Sequence, residues 1–216
     1  MIVHSPDPIV LVGAGDVSAD DIKLARRYGS KVVAADGGAS HCVAAGIVPD
    51  AVIGDLDSLP GAVRKVVPED RIHRIPEQET TDFDKCLRSV AAPLVLAVGF
   101  AGPRLDHMLA AFNALVRRAD TPAVVVAPSD LVFHAPPRLA LDLAAGERLS
   151  LFPLASVSGR SRGLLWPIDG LALAPSRRIG TSNVATGPVV MEFDAPGMLV
   201  ITPRAALPAV MRGLSG

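Results

Sequence analysis

Two aspartates stand one residue apart at the end of an apolar run, in D-A-V-I-G-D-L-D-S-L-P, residues 50–60. If Ala51 to Gly54 is a strand, side-chain alternation turns Asp55 and Asp57 to the same side, where like charges repel unless a cation lies between them. Taken alone the stretch also reads as a solvated turn, with Asp57 or Ser58 capping a helix that begins near Pro60. Three more acids share this kind of setting. Asp36 follows V-V-A-A and precedes Gly37 and Gly38, Asp82 opens a helix in E-T-T-D-F-D-K-C-L, and Asp106 opens another in G-P-R-L-D-H. Lys85 lies one turn beyond Asp82, and Arg104 stands beside Asp106. Carboxylates gathered with a lysine and an arginine suit Mg2+ carrying a polyphosphate, because magnesium accepts one or two carboxylates, keeps waters and bridges phosphate oxygens. Asp55, Asp57 and Asp82 are therefore the candidate metal ligands, and Lys85 and Arg104 the candidate phosphate grips. Asp106 is a candidate for orienting or deprotonating a substrate hydroxyl, or for a further metal ligand.

The elements that must hold these groups alternate in kind over the first 130 residues. Pro8 to Gly13, Lys31 to Ala35, Asp50 to Gly54, Leu94 to Phe100 and Ala123 to Ala127 are short apolar runs that read as buried strands. Between them, Ser18 to Tyr28 carries a Ser cap, acids in its first turn and bases in its last, and helical stretches are expected near 38–45, 81–91 and 104–119. This is the pattern of a parallel sheet covered on both faces, with all five acids at its carboxyl edge, where ligands bind in open α/β sheets. Gly37 and Gly38 allow close backbone approach and begin a helix whose free N–H groups favour an anion. Thr80 or Thr81 caps the helix of Asp82, and ordinary capping explains that pair on its own.

From about residue 131 the texture changes. L-V-F-H-A, R-L-A-L-D-L, E-R-L-S-L-F-P-L, P-V-V-M-E-F and G-M-L-V-I-T-P are short, β-prone and separated by Pro, Gly and Ser, with no helix expected until the last ten residues. They predict an antiparallel sandwich or barrel. The expected division is an α/β domain over 1–130, carrying the Mg-polyphosphate site, and a β domain over 131–216.

Composition removes several classes of function. With 216 residues and 50% hydrophobic content the chain can bury a substantial core, and a net charge of -1 leaves no basic field for nucleic acid. Cys42 and Cys86 are too few for a disulfide framework and show no metal-ligand spacing with the five histidines, so they read as buried thiols in a reducing compartment. No leader pattern opens the chain, and Gly or Pro interrupts every longer uncharged stretch, so a soluble, cytoplasmic protein away from membranes is expected. Gly13, Gly15 and Asp36 resemble a dinucleotide fingerprint, but Ser18 stands where its third glycine belongs, and a dehydrogenase would leave the other four acids unexplained.

Taken together, A-D-G-G-A-S (35–40), P-D-A-V-I-G-D-L-D-S (49–58), Q-E-T-T-D-F-D-K-C-L (78–87), R-L-D-H (104–107), G-L-L-W-P-I (163–168) and G-T-S-N (180–183) resemble, in order, the motifs of thiamin pyrophosphokinases. The resemblance implies a Rossmann-like three-layer α/β domain followed by a β-sandwich domain for thiamin binding and dimerisation. It implies a homodimer that transfers the pyrophosphoryl group of Mg-ATP to the hydroxyl of thiamin, releasing AMP. Asp36, Gly37, Gly38, Ser58, Gln78 and Thr81 are then the ATP contacts, and Trp166, Ser182 and Asn183 the thiamin contacts. Trp166, the only tryptophan, reads either as a core ring or as a platform for the cationic thiazolium and flat aminopyrimidine. The family commonly has G-G-R before L-D-H, whereas Pro103 precedes Arg104 here and donates no N–H to a phosphate. The alternatives are a pyrophosphokinase acting on a hydroxymethyl-pterin and a protein that binds Mg-ATP without turnover.

Overall fold

A computed structural model describes residues 1–215. The chain divides into two compact units, Met1–Ala114 with Asp120–Ala127, and Leu115–Ala119 with Pro128 onward. In chain order the first unit carries β1 (Val3–His4), β2 (Ile9–Val12), α1 (Ala19–Arg26), β3 (Lys31–Ala35), α2 (Gly38–Ala44), β4 (Ala51–Gly54) and α3 (Gly61–Arg64). It continues through β5 (Ile72–Arg74), α4 (Asp82–Ser89), β6 (Val90–Ala91), β7 (Val95–Val98), α5 (Leu105–Arg117) and β8 (Ala123–Val126). Strands β8, β7, β2, β3, β4 and β5 lie side by side, and every pairing among them is parallel. β1 and β6 form a separate two-residue parallel pair. The unit is an α/β fold.

The apolar runs build this sheet because both its faces are covered. Every residue of β2, β4, β7 and β8 is buried, and each fully buried Val, Leu or Ile contributes about 1.5–3 kcal/mol. Helix α1 starts where Ser18 and Asp21 exchange bonds in a capping box. Helix α2 packs so closely on β2 that a Cβ on Gly38 would meet the Val12 carbonyl oxygen at 2.1 Å. Gly38 is therefore a packing glycine.

The second unit contains β9 (Asp130–His134), β10 (Arg138–Leu141), β11 (Arg148–Pro153), β12 (Gly159–Leu164), β13 (Gly180–Phe193), β14 (Met198–Pro203) and α6 (Leu207–Leu214). All its ladders are antiparallel: β9 with β14, β14 with β11, and β13 with β10, β11 and β12. The early residues of β13 pair with β11 and its late residues with β10 and β12, so this one strand joins two ladders. β12 was not expected from sequence. Its G-R-S-R-G-L has no apolar alternation and is held by pairing with β13. Among the described residues no helix is long and apolar enough to cross a membrane.

Candidate active site

Strand ends place the acids. Asp36 follows β3 in a left-handed backbone conformation, φ 41°, and is 4% exposed. Asp55 follows β4, and Leu56 at φ 66° turns the chain on to Asp57. Asp82 is the first residue of α4, whose N-terminus Thr81 caps by accepting from the Asp84 N–H at 3.3 Å. Gly54 brings these segments close: a Cβ there would stand 2.8 Å from Cβ of Asp36 and 3.3 Å from Oδ1 of Asp82. The groups line a cleft of about 700 Å³.

Charge inside the cleft is arranged in two sets. One oxygen each from Asp36, Asp55 and Asp57 lies within 4.8 Å of the others. The second set centres on Lys85, which is 1% exposed and donates to Asp82 Oδ1 at 3.1 Å, with Asp55 Oδ2 at 4.0 Å. The Gln78 amide donates to Asp55 Oδ2 at 2.9 Å, and the Asp57 N–H to Oδ1 at 3.3 Å. These bonds, led by the one from Gln78, hold the Asp55 carboxyl below the usual carboxylate range. Asp36 goes the other way. Burial pushes its carboxyl up to about 6, against the opposing bond from the Ser58 N–H. Its Oδ1 is buried with no partner.

Of the groups anticipated from sequence, the cleft walls include the acids Asp36, Asp55, Asp57 and Asp82, together with Gly37, Ser58, Gln78, Thr81, Lys85 and Arg104. Gly38 and Asp106 are not among its lining residues. Asp106 is exposed and takes a two-pronged ion pair from Arg104, at 2.7 and 3.3 Å, whose bonds hold its carboxyl below the usual range. Pro103 also lines the cleft, so the loop that departs from the family pattern remains at the site. Sequence reading missed Asp16, His107 and the tilted ring pair of Phe83 and Phe100, whose centroids are 4.4 Å apart. Phe83 lies inside the quoted E-T-T-D-F-D-K motif, which was the available signal. The thiols take no part: both cysteines are buried, and burial pushes Cys42 up to about 12.

The remaining expected contacts form a separate group in the second unit. Trp166 is 58% exposed, so it is not a core ring. Asn183, 5% exposed, spends its amide on holding Trp166: Oδ1 accepts from the Trp166 N–H at 3.2 Å and Nδ2 donates to the Trp166 carbonyl at 2.7 Å. Oδ1 also accepts from the Val184 N–H at 2.9 Å. Ser182 is left-handed, φ 62°, with its N–H donated to Ser150 Oγ at 2.9 Å. Asn183 thus supports the tryptophan from behind.

Residues 26–126, which include the whole acid-lysine constellation, match the family model described as thiamin pyrophosphokinase, catalytic domain. Over those residues the chain is similar to that catalytic domain. Among curated relatives, thiamine pyrophosphokinases 1 and 2 of Arabidopsis thaliana are 27% and 26% identical over 172 residues, covering 68% of this chain. The match spans 62% of the length of those relatives. Solved structures extend the likeness along the chain. Thiamin pyrophosphokinase from Candida albicans superposes with TM-score 0.77 at 16% identity, covering 94% of this chain and 93% of that one. Thiamin pyrophosphokinase from Geobacillus thermodenitrificans gives TM-score 0.73 at 23% identity, covering 91% and 96%. At such identities these two show that the chain shares the thiamin pyrophosphokinase fold.

Proposed function

We propose that the protein transfers the pyrophosphoryl group of Mg-ATP to the hydroxyl of thiamin, giving thiamin diphosphate and AMP. The observation that carries this reading is the buried Lys85 between Asp55 and Asp82, in a cleft that lies within the matched catalytic domain. The donors there fit a hard divalent cation, since the three acids with neighbouring atoms offer carboxylate oxygens only. Asp55 and Asp57 would hold Mg2+, with Asp82, the third ligand expected from sequence, ion-paired to Lys85 beside them. An ion held there would neutralise charge that develops during in-line transfer.

Lys85 and Arg104 grip phosphate oxygens, the first as a buried charge and the second from an exposed side chain that also stays paired with Asp106. A carboxylate held low by Arg104 is a weak base, so Asp106 orients the thiamin hydroxyl more than it deprotonates it. Ser58, Gln78 and Thr81 line the nucleotide side, and Trp166 offers its face to the thiamin rings. We further read the first unit as a Rossmann-like three-layer domain and the second as a β-sandwich, with β13 passing between its sheets. Assembly as a cytoplasmic homodimer through the second unit would also cover strand edges, with thiamin near that interface.

Incubating the protein with ATP, Mg2+ and thiamin tests the reaction. AMP should appear with thiamin and not with a hydroxymethyl-pterin. Asp55→Asn should lower that rate at least 100-fold, in the range lost with one charge-stabilising group, with the circular dichroism spectrum unchanged. A near-normal rate in this variant would sink the assignment.

A further inference from the structure

We infer that Asp36 is a direct ligand of the divalent cation, completing a set with Asp55 and Asp57, and that Asp82 instead fixes Lys85. The inference rests on the Mg-polyphosphate reading and changes which acids do what within it.

Three observations lead here. One oxygen from each of Asp36, Asp55 and Asp57 falls within a 4.8 Å cluster, compact enough for the acids to meet at one ion. Asp36 is 4% exposed and lines the cleft, yet its Oδ1 has no hydrogen-bond partner, while Oδ2 receives only the Ser58 N–H at 3.3 Å. Buried carboxylate oxygens are almost always bonded, so an unpartnered oxygen on a buried acid whose carboxylate neighbours two others marks a position where a cation belongs. Asp82, by contrast, already has a cationic partner, since its Oδ1 receives the Lys85 ammonium at 3.1 Å.

A direct Asp36 contact to phosphate makes poor chemistry. An ionised carboxylate only accepts hydrogen bonds, and phosphate oxygens offer it no donor. A cation between them satisfies both. The backbone also commits Asp36 to this place, because its left-handed conformation and the missing side chain of Gly54 let the acid lie against β4.

Mn2+ binding, followed by its electron paramagnetic resonance signal in the absence of nucleotide and thiamin, separates the two arrangements. Asp36→Asn should weaken Mn2+ at least 10-fold, and Asp82→Asn by a smaller factor, since the first removes a ligand and the second a neighbour. Mn2+ should also raise the melting temperature of the wild type and not that of Asp36→Asn. Asp36→Ser serves in the same two measurements should the asparagine variant fail to fold. Wild-type Mn2+ affinity in an Asp36 variant, or a larger loss from Asp82→Asn than from Asp36→Asn, overturns the inference. A wild type that forms AMP alongside that result leaves the proposed reaction standing, whereas a wild type that binds Mn2+ through Asp36 but forms no AMP from thiamin overturns the reaction alone.

Discussion

The cleft of the first unit hides charge, whereas the Trp166 corner of the second displays apolar surface. In the cleft a lysine is 1% exposed and an aspartate 4%, one paired and the other with an unbonded oxygen. At the corner Leu165 and Trp166 are 52% and 58% exposed, but their backbone is pinned by Asn183 and by the Leu165 N–H bond to Val184 O at 2.8 Å. The first region therefore carries its cost as buried electrostatics inside the fold, and the second as uncovered area on a rigid support. Substitutions in the cleft should register strongly in folding stability; substitutions at the corner should register mainly in binding.

Lys85→Met is the strongest test of that contrast. Methionine keeps most of the volume but leaves Asp82 and Asp55 without their cation, and breaking a buried pair costs about 3–5 kcal/mol. Asp82 is 33% exposed, which screens part of the loss. Urea unfolding should show a loss of about 3 kcal/mol, together with an AMP-forming rate near zero. A stability within about 0.5 kcal/mol of wild type, the range of ordinary surface changes, would mean that the cleft holds no such strain.

Asp36→Asn should move stability in the opposite direction. Burial raises its carboxyl from 3.8 to about 6, so the folded protein holds that proton more tightly than the unfolded chain does. Stability therefore falls as pH rises through that window, and the full penalty is present above it. In metal-free protein at pH 7.5 the variant, which carries no charge there, should be more stable by up to about 3 kcal/mol. The advantage should shrink as pH drops below about 6 and be lost near 4. Melting curves in EDTA across that range would show it, and a variant less stable at every pH would break the assignment of strain to Asp36.

The contrast was only half legible in the sequence. Strand β3 falls on the expected Lys31–Ala35, and α2 and α4 begin within a residue of their expected starts, because apolar runs and caps are local signals. The acids at strand ends followed from the same alternation. What stayed hidden depends on contacts distant in the chain. The orphan oxygen of Asp36 owes its burial partly to Gly54 and Ser58, which lie on another strand and its following loop. Gly38 read as a residue for phosphate approach, and its missing side chain also lets α2 touch β2, a role the sequence did not show. Asn183 read as a ligand contact, yet its main bonds go to a backbone 17 positions away. Strand β12 carries Arg160 and Arg162 where apolar residues would announce a strand, and Ser182 turns left-handed inside β13.

The smallest stability effects belong to the corner, where binding should do the reporting. Asn183→Ala leaves the Trp166 N–H and carbonyl without their partners, which costs about 1–3 kcal/mol where the groups stay buried. Trp166→Ala removes a ring that is already mostly in water, so its stability should stay within about 0.5 kcal/mol of wild type. Both should raise the KM for thiamin. For Trp166→Ala a lost cation–π contact of about 0.5–2 kcal/mol corresponds to roughly 3- to 30-fold. Because such stacking acts equally in the ground and transition states, kcat and the affinity for ATP should hardly change. Asn183→Ala leaves the ring in place on a loosened support, so its KM effect should be smaller than that of Trp166→Ala although its stability loss is larger. That inversion separates a platform from the residue that positions it. If Trp166→Ala instead loses more stability than Asn183→Ala and leaves the thiamin KM untouched, the tryptophan is a structural ring and the corner is no binding surface.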